Sequence, residues 1–223
     1  MLISCQNLQK QYMADNQAVL AADNIILDIA ENDFLTIHGH SGSGKTTLLS
    51  LIGGLTSADS GKVLINGCDV WAGSDTDISR IRNKTIGFVF QFASLIPTLS
   101  IHENLLLPLS FGGLSAGSSE RANSLLEEVG IAEKRNCFPS ELSGGQQRRV
   151  AIARAFINDP EIVLADEPTG DLDEKTENEI MDFFYRRHDQ GTTFVIVTHN
   201  SQLALGHKAL RVLTMKNGRL LEQ

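Results

Sequence analysis

The sequence predicts an α/β protein in which a mostly parallel sheet is interrupted by a helical segment. Short apolar, β-branched runs such as "DFLTIH", "EIVLAD" and "TTFVIVTH" alternate with stretches whose apolar residues recur at helical spacing. From about 92 to 158 the helical patterns follow one another without a strand between them. Because alternating strands and helices build parallel sheets, we expect a parallel core with an embedded helical subdomain.

Each predicted element follows from its local pattern. The first strands are predicted in "LISCQNL" and "VLAADNIILDI", where apolar positions partly alternate. A helix is predicted after "DFLTIH" and ends at Gly53 and Gly54, because glycine is favoured just beyond a helix. Two strands follow in "GKVLING" and "KTIGFVFQ", and then three helices in "SIHENLLLPLSF", "SSERANSLLEEVG" and "GGQQRRVAIARAFI". After "EIVLAD" we expect the helix "EKTENEIMDFFYRRH", and at the end of the chain a hairpin that turns at Asn217-Gly218.

The composition narrows the class of protein. The 223 residues, 42% of them hydrophobic and 21% charged, are typical of one globular domain. A net charge of -8 argues against binding of duplex DNA through broad phosphate neutralisation. The three cysteines, at unrelated spacings, indicate reduced thiols in a cytosolic protein. No run approaches ~20 apolar residues, so we expect no membrane span, and any role at a membrane requires a partner.

The first glycine-rich loop, "GHSGSGKTT", fits the pattern G-x-x-x-x-G-K-S/T. Its glycines allow backbone N–H groups to turn toward a phosphate, and the helix that follows adds the positive end of its dipole. Lys45 would reach the β- and γ-phosphates of a nucleotide, and Thr46 would place its hydroxyl on Mg²⁺. The predicted nucleotide-binding loop comprises Gly39, His40, Ser41, Gly42, Ser43, Gly44, Lys45, Thr46 and Thr47.

Polar residues follow three of the predicted core strands. Asp166 and Glu167 end "EIVLADE", where Asp166 can support the Mg²⁺ shell and Glu167 can polarise a water for attack on the γ-phosphate. Taken alone, an acidic pair at the end of a strand is equally compatible with two carboxylates that are merely solvated and have no functional role. Gln91 and His199 follow two other strands, at the sheet edge where ligands collect. The Gln91 amide could hold a water or ligate Mg²⁺, and both residues are also compatible with structural roles.

A second glycine-rich element, "LSGGQ", begins at Leu142. Ser143 and Gln146 have the spacing of a capping box, which predicts the start of a helix. The two glycines between them would leave the helix end open to an anion. The local pattern therefore indicates either an ordinary helix start or a second phosphate site, and it does not say which phosphate would bind there.

Taken in order, these motifs resemble those of the ATP-binding cassette (ABC) ATPases. The motifs are "GHSGSGKTT", Gln91, "LSGGQ", "IVLADE", "GDLD" and His199, and they span essentially the whole chain. "LSGGQ" separates this family from helicases and small GTPases, which share the first loop. The resemblance implies a P-loop NTPase core with a mostly parallel sheet, an N-terminal antiparallel β part and an inserted helical subdomain. It places a single domain over 1–223, with a core lobe at about 1–91 and 159–223 and the helical subdomain at about 92–158.

The resemblance also implies the roles of the site residues. In this family two cassettes pair head to tail, which implies a second copy of this chain as a partner, so that "LSGGQ" of one subunit contacts the ATP held by the other. Tyr12 matches the aromatic residue that stacks on adenine, and Asp173 matches an aspartate that helps the two sites communicate. The cofactors implied are ATP and Mg²⁺. The catalytic residues implied are Glu167, His199, Gln91 and Lys45, the Mg²⁺ ligands are Thr46, Gln91 and Asp166, and the residues for the partner's ATP are Ser143, Gly144, Gly145 and Gln146.

The function implied is that of an ATPase subunit that powers an integral-membrane permease from the cytoplasmic face of the membrane. The segments "IGFVFQFASLIPTLSIHENLLLPL" and "LADEPTGDLD" look like the group that serves lipoprotein release, macrolide or haem export, peptide-antibiotic resistance and cell-division control. "SLIP" and "GDLD" differ slightly from that group's usual "LLP" and "GNLD". This likeness predicts an exporter or a mechanotransmission device, whose substrate is selected by the permease.

Two other functions would also use an ATP-binding cassette. A cytosolic ABC protein could act on ribosomes or DNA, but translation-factor types usually carry two cassettes and chromosome-organising types carry a long coiled coil. A degenerate cassette could bind ATP without hydrolysing it, but the full set of Lys45, Asp166, Glu167 and His199 disfavours this class. We expect no nucleic-acid partner.

Overall fold

The computed structural model describes residues 1–14, 17–113, 115–170, 172–200 and 211–222. The chain forms two compact units. The first comprises Met1–Arg82, Leu164–Glu167 and Thr193–Gln223, and the second comprises Asn83–Val163 and Pro168–Thr192. None of the helices in the described ranges is long and apolar enough to cross a membrane.

Most of the strands and helices lie close to the predicted segments. The strands are β1 (Ile3–Ala14), β2 (Gln17–Ile29), β3 (Phe34–His38), β4 (Ser60–Ile65), β5 (Cys68–Asp69), β6 (Ile86–Val89), β7 (Ile162–Asp166), β8 (Thr193–Thr198), β9 (Arg211–Lys216) and β10 (Arg219–Glu222). The helices are α1 (Lys45–Ile52), α2 (Asp75–Thr85), α3 (Ile101–Ser110), α4 (Ser118–Glu128), α5 (Gly144–Ala155) and α6 (Glu174–Asp189).

An antiparallel sheet of four strands occupies the N-terminal part of the first unit. Its strand order is β2-β1-β4-β5, and β1 pairs antiparallel with both β2 and β4. Ile3, Cys5 and Leu8 of β1 are buried, so one side of this sheet contributes to the core. Burial raises the pKa of the Cys5 thiol to about 12, which keeps this thiol protonated. The predicted N-terminal antiparallel part is confirmed.

The second sheet of this unit carries the predicted parallel core. β3 pairs parallel with β8 and with β9, and the strands follow the order β10-β9-β3-β8-β7. Every residue of β7 and β8 is buried, as is typical of parallel strands covered on both faces. β9 and β10 form the predicted hairpin, in which Asn217 and Gly218 have φ angles of 49° and 78°, as a type I′ turn requires.

The second unit contains the helices that the middle of the sequence predicts. Within it, the Phe156 ring contacts the Phe183 ring edge-on with centroids 4.9 Å apart, so α6 belongs to this unit although it lies outside 92–158. The family-based lobe boundaries stay a prediction. Helix α2 was not predicted, because it buries a single side chain, Ile78, and therefore shows little apolar periodicity.

Candidate functional site

The first glycine-rich loop joins β3 to α1 and has a conformation that requires glycine. Gly44 has a φ of 106°, and a Cβ added there would lie 2.0 Å from the carbonyl oxygen of Ala21. A Cβ on Gly39 would lie 2.3 Å from the carbonyl oxygen of Met215. The Ser43 hydroxyl is buried and makes no hydrogen bond within the described ranges. Backbone atoms of the same subunit thus pack closely against the loop. The buried Ser43 hydroxyl lacks a described hydrogen-bond partner, and a bound ligand could supply one.

Lys45 is the first residue of α1, and its ammonium lies against the loop. Nζ donates hydrogen bonds to the carbonyl oxygens of Gly39, at 2.6 Å, and His40, at 3.1 Å. Burial lowers the pKa of Lys45, and the negative charges of Glu167 and Asp166 oppose that shift. A cation and the N-terminal amides of α1 therefore share one small region, an arrangement that favours a bound anion.

Thr46 and Asp166 bring two oxygen atoms together from distant parts of the chain. The Thr46 hydroxyl donates to Asp166 Oδ2 at 2.7 Å, and Asp166 is 6% exposed at the end of β7. Mg²⁺ prefers oxygen ligands and is commonly held by one or two protein groups together with phosphates and water. This hydroxyl and carboxylate fit such an ion.

Glu167 follows directly and is held from several sides. Its carboxylate accepts hydrogen bonds from the Thr198 hydroxyl at 2.9 Å and the His199 backbone N–H at 2.8 Å. His199 Nδ1 is also 2.8 Å from Glu167 Oε1. The backbone φ of Glu167 is 46°, a left-handed conformation that is unfavourable for residues other than glycine. Strain of this kind, about 1–3 kcal/mol, persists where the surroundings impose it and clusters at functional sites.

In the second unit, the segment after β6 is bound to α5 by arginines. The Arg148 guanidinium donates to the carbonyl oxygens of Phe90, at 2.5 Å, and of Gln91. Arg154 donates to those of Ala93 and Ser94, each at 2.9 Å. Gln91 is an exposed residue, and its backbone carbonyl is held by the hydrogen bond from Arg148.

Replacing Arg148 by methionine should lower the free energy of unfolding by about 2–4 kcal/mol, because two hydrogen bonds from a charged donor are lost. Arg148 is 8% exposed, so water cannot easily replace the guanidinium. Urea denaturation of both proteins measures the difference. The control is Arg80→Met, which removes an exposed ion pair with Asp77 and should cost less than about 0.5 kcal/mol. Equal losses in the two variants would contradict the structural role of Arg148.

The capping box at the start of α5 is confirmed. The Ser143 hydroxyl accepts from the Gln146 N–H at 3.3 Å, and Gln146 Oε1 accepts from the Ser143 N–H at 3.0 Å. Among the described residues, a Cβ on Gly144 would meet no atom within 4 Å, and one on Gly145 would make an ordinary contact of 3.7 Å with Leu172. The described part of the subunit therefore gives no steric reason for glycine at either position, although glycine weakens a helix by up to about 1 kcal/mol.

The remaining predicted residues occupy separate places. Tyr12 is 42% exposed on β1, with Lys10 Nζ 5.6 Å from its ring centroid. Asp173 caps α6 by accepting from the Thr176 N–H at 3.0 Å and hydroxyl at 2.7 Å, and these bonds lower its pKa. Asp171 of "GDLD" lies outside the described residues.

The structure thus brings most of the predicted catalytic residues into one unit. Gln91 and the "LSGGQ" residues belong to the other. Thr198, which contacts the Glu167 carboxylate, was not predicted, although its position directly before His199 at a strand end is a usable signal. Arg148 was not predicted either, and the sequence offers no signal for it, because an arginine in a helix is usually exposed. The predicted residues brought together in the first unit are Gly39 to Thr47, Asp166, Glu167 and His199.

Comparison with known proteins agrees with this geometry. A family model described as ABC transporter matches residues 22–170. The lipoprotein-releasing system ATP-binding protein LolD of Syntrophus aciditrophicus is 43% identical over 205 residues, covering 91% of this chain and 92% of that protein. The macrolide export ATP-binding/permease protein MacB of Chlorobaculum tepidum is 41% identical over 217 residues, covering 97% of this chain but 33% of MacB.

Solved structures of the ABC transporter cassette MJ0796 show the same fold. The dimeric cassette has a TM-score of 0.91 at 40% identity, and the dimer bound to ADP and Pi has a TM-score of 0.90 at 39% identity. Each covers 98% of this chain and 96% of that one. The predicted α/β fold, ATPase activity, self-pairing and permease partner are confirmed at the level of the family. The chain belongs to the ABC transporter family and is one of its ATP-hydrolysing nucleotide-binding subunits.

Proposed function

We propose that the first unit binds Mg·ATP and hydrolyses it with Glu167 as the general base. The observation that carries this proposal is the carboxylate of Glu167, which is fixed by hydrogen bonds. Glu167 directly follows Asp166, whose own carboxylate accepts a hydrogen bond from Thr46. The backbone amides of the glycine-rich loop and the Lys45 ammonium bind the β- and γ-phosphates. The Ser43 hydroxyl, buried and unbonded within the described part of the chain, gains a phosphate acceptor.

Thr46 and Asp166 hold Mg²⁺, which supplies charge compensation for the phosphates when it is bound. The family resemblance also implies Gln91 as a ligand of this ion. A titration of the protein with ATP, with and without Mg²⁺, tests this arrangement. Thr46→Ala should weaken binding only in the presence of Mg²⁺, and an equal loss without the ion would contradict the assignment.

The Glu167 carboxylate accepts the proton of the water that attacks the γ-phosphorus. Its two oxygens are oriented by the Thr198 hydroxyl and by the backbone N–H of His199. An ionised carboxylate can only accept hydrogen bonds, so the contact with His199 Nδ1 requires that this nitrogen carry its proton. His199 thereby orients the base and fixes its own ring.

In the second unit, Ser143, Gly144, Gly145 and Gln146 are proposed to complete the nucleotide site of a second copy of the chain. The open space around Gly144 supports this role, because no atom of the described residues lies within 4 Å of the position that a Cβ would take. The N–H groups at the start of α5 would face the partner's γ-phosphate. ATP would then stabilise the dimer, and hydrolysis would release it.

Gly144→Ala should leave the thermal stability of the isolated chain unchanged or raise it, and should weaken ATP-dependent dimerisation at least tenfold. Alanine favours the helix, whereas its methyl group would occupy space needed by the partner's phosphate. Melting curves and sedimentation velocity with ATP, in a Glu167→Gln background that retains the nucleotide, measure the two effects. Gly112→Ala is the matched control, because the nearest described atom to its added Cβ is Asn83 Oδ1 at 3.5 Å. Undiminished dimerisation of Gly144→Ala would contradict the shared site.

We further propose that the chain serves an exporter or mechanotransmission permease at the cytoplasmic face of the membrane. Relatives named for lipoprotein release and macrolide export support this narrower assignment. Purification of tagged Glu167→Gln protein with Mg·ATP, followed by mass spectrometry, tests it. A protein with several membrane spans and a large outer domain is expected, and Lys45→Ala should recover less of it. Recovery of ribosomes or soluble factors alone would favour the cytosolic alternative.

A further inference from the structure

The Tyr12 ring is contacted by a charged pair that the proposed mechanism does not use. Lys10 Nζ lies 5.6 Å from the centroid of the Tyr12 ring and 2.8 Å from Asp59 Oδ1. The Lys10 side chain is 15% exposed, so most of its stem is buried beside the ring. Lys10 and Tyr12 are two residues apart on β1 and project from the same face of the strand.

Asp59 also holds the backbone of this part of β1. The last described pair between β1 and β4 is Gln9 with Ser60. Beyond it, the second carboxylate oxygen of Asp59 accepts from the Gln11 N–H at 2.8 Å, and the Asp59 N–H donates to the Gln9 carbonyl at 2.8 Å. Asp59 thus extends the hydrogen bonding between β4 and β1 as far as Gln11, the residue that precedes Tyr12.

We propose that Lys10 and Asp59 are positioning residues for Tyr12, and that they raise affinity for the base of the nucleotide without contributing to phosphate binding. This inference rests on the proposed function and on the stacking of adenine on Tyr12 that the family resemblance implies. Asp59 fixes both the strand that carries the ring and the ammonium that packs on it. Lys10 then occupies one face of the ring, which restricts the tyrosine to an orientation in which the other face is presented to a base.

The ion pair makes Lys10 a poor direct phosphate ligand. Its charge is compensated by Asp59 at hydrogen-bond distance, and its stem is packed against the protein. Lys45, in contrast, is the first residue of α1 and donates to backbone carbonyls of the glycine-rich loop. The two lysines are therefore expected to act on different parts of the nucleotide, Lys10 on the base through Tyr12 and Lys45 on the phosphates.

The test uses displacement of one bound fluorescent nucleotide by either ATP or inorganic triphosphate, which lacks the base. For Lys10→Met, the dissociation constant of ATP (the ATP constant) should rise about two- to fivefold. The dissociation constant of triphosphate (the triphosphate constant) should not change. For Tyr12→Ala, the ATP constant should rise about tenfold, again with no change for triphosphate. Adding Lys10→Met to Tyr12→Ala should produce no further rise. Lys62→Met removes a similar charge from β4 and should alter neither constant.

Each other outcome has a definite meaning. A parallel rise of both constants in Lys10→Met would make Lys10 a phosphate contact and overturn the proposal. A further rise in the double variant, or no change in Lys10→Met alone, would overturn it as well. An unchanged ATP constant in Tyr12→Ala would instead refute adenine stacking itself. Asp59→Asn, which keeps an acceptor for the Gln11 N–H but loses the charge, should raise the ATP constant by about as much as Lys10→Met.

Discussion

Glu167→Gln is expected to slow ATP turnover by about 10²–10⁴-fold, because the amide cannot accept a proton from the attacking water. Binding of Mg·ATP should be preserved, since the glycine-rich loop, Lys45 and the Thr46–Asp166 pair are unchanged. The fold should also survive. The glutamine oxygen can accept from the His199 N–H, and the Thr198 hydroxyl can turn to accept from the new amide.

Phosphate release and equilibrium ATP binding, measured on the same preparation, separate these two effects. Glu31→Gln makes the same charge change at an exposed turn of the first unit and should leave both quantities unaltered. Turnover that stays within about twofold in Glu167→Gln would remove this residue from catalysis, since a general base contributes at least a hundredfold. Loss of ATP binding together with turnover would assign it to the nucleotide site and not to the chemical step.

Lys45→Ala is expected to weaken ATP binding by about 100-fold or more. In the proposed site the ammonium would donate charge-assisted hydrogen bonds to phosphate oxygens, and each such hydrogen bond contributes about 1.5–3 kcal/mol. The folded state should tolerate the change. Burial lowers the pKa of Lys45, so the folded protein holds this charge against a desolvation cost that alanine does not carry.

Calorimetric titration with Mg·ATP measures the loss, and a melting curve confirms that the variant is folded. Lys62→Ala, an exposed lysine of β4 in the same unit, is the matched control and should bind ATP normally. Micromolar affinity retained by Lys45→Ala would contradict the proposed phosphate site.

The Lys45 ammonium loses its charge as the pH rises through its pKa, which burial lowers. Binding of ATP by the unaltered protein should therefore weaken as the pH rises through that pKa.

Much of the fold could be predicted because its signals are local. Every residue of β7 and β8 is buried, and the sequence shows four consecutive apolar residues in each strand. The hairpin between β9 and β10 is marked by Asn217-Gly218, whose positive φ angles these residues adopt easily. α2 was not predicted, because a helix with one buried side chain has no apolar stripe that the sequence could show.

The sequence by itself determined the chemical inventory of the site. A phosphate-binding loop needs glycines, a lysine and a hydroxyl at a fixed local spacing, so Gly39, Gly44, Lys45 and Thr46 are recognisable without a structure. The capping box at Ser143 is also a property of four consecutive residues, and its hydrogen bonds are present as predicted.

Only the tertiary structure decided which of these groups touch one another. Thr46 and Asp166 are 120 positions apart, and Lys10 and Asp59 are 49 apart, yet each pair makes a hydrogen bond. The left-handed backbone of Glu167 likewise depends on the neighbouring strand β8, to which its N–H donates. The physical reason is that periodicity and spacing report which residues are buried or turned, whereas contacts between distant residues are set by the packing of strands and helices against each other.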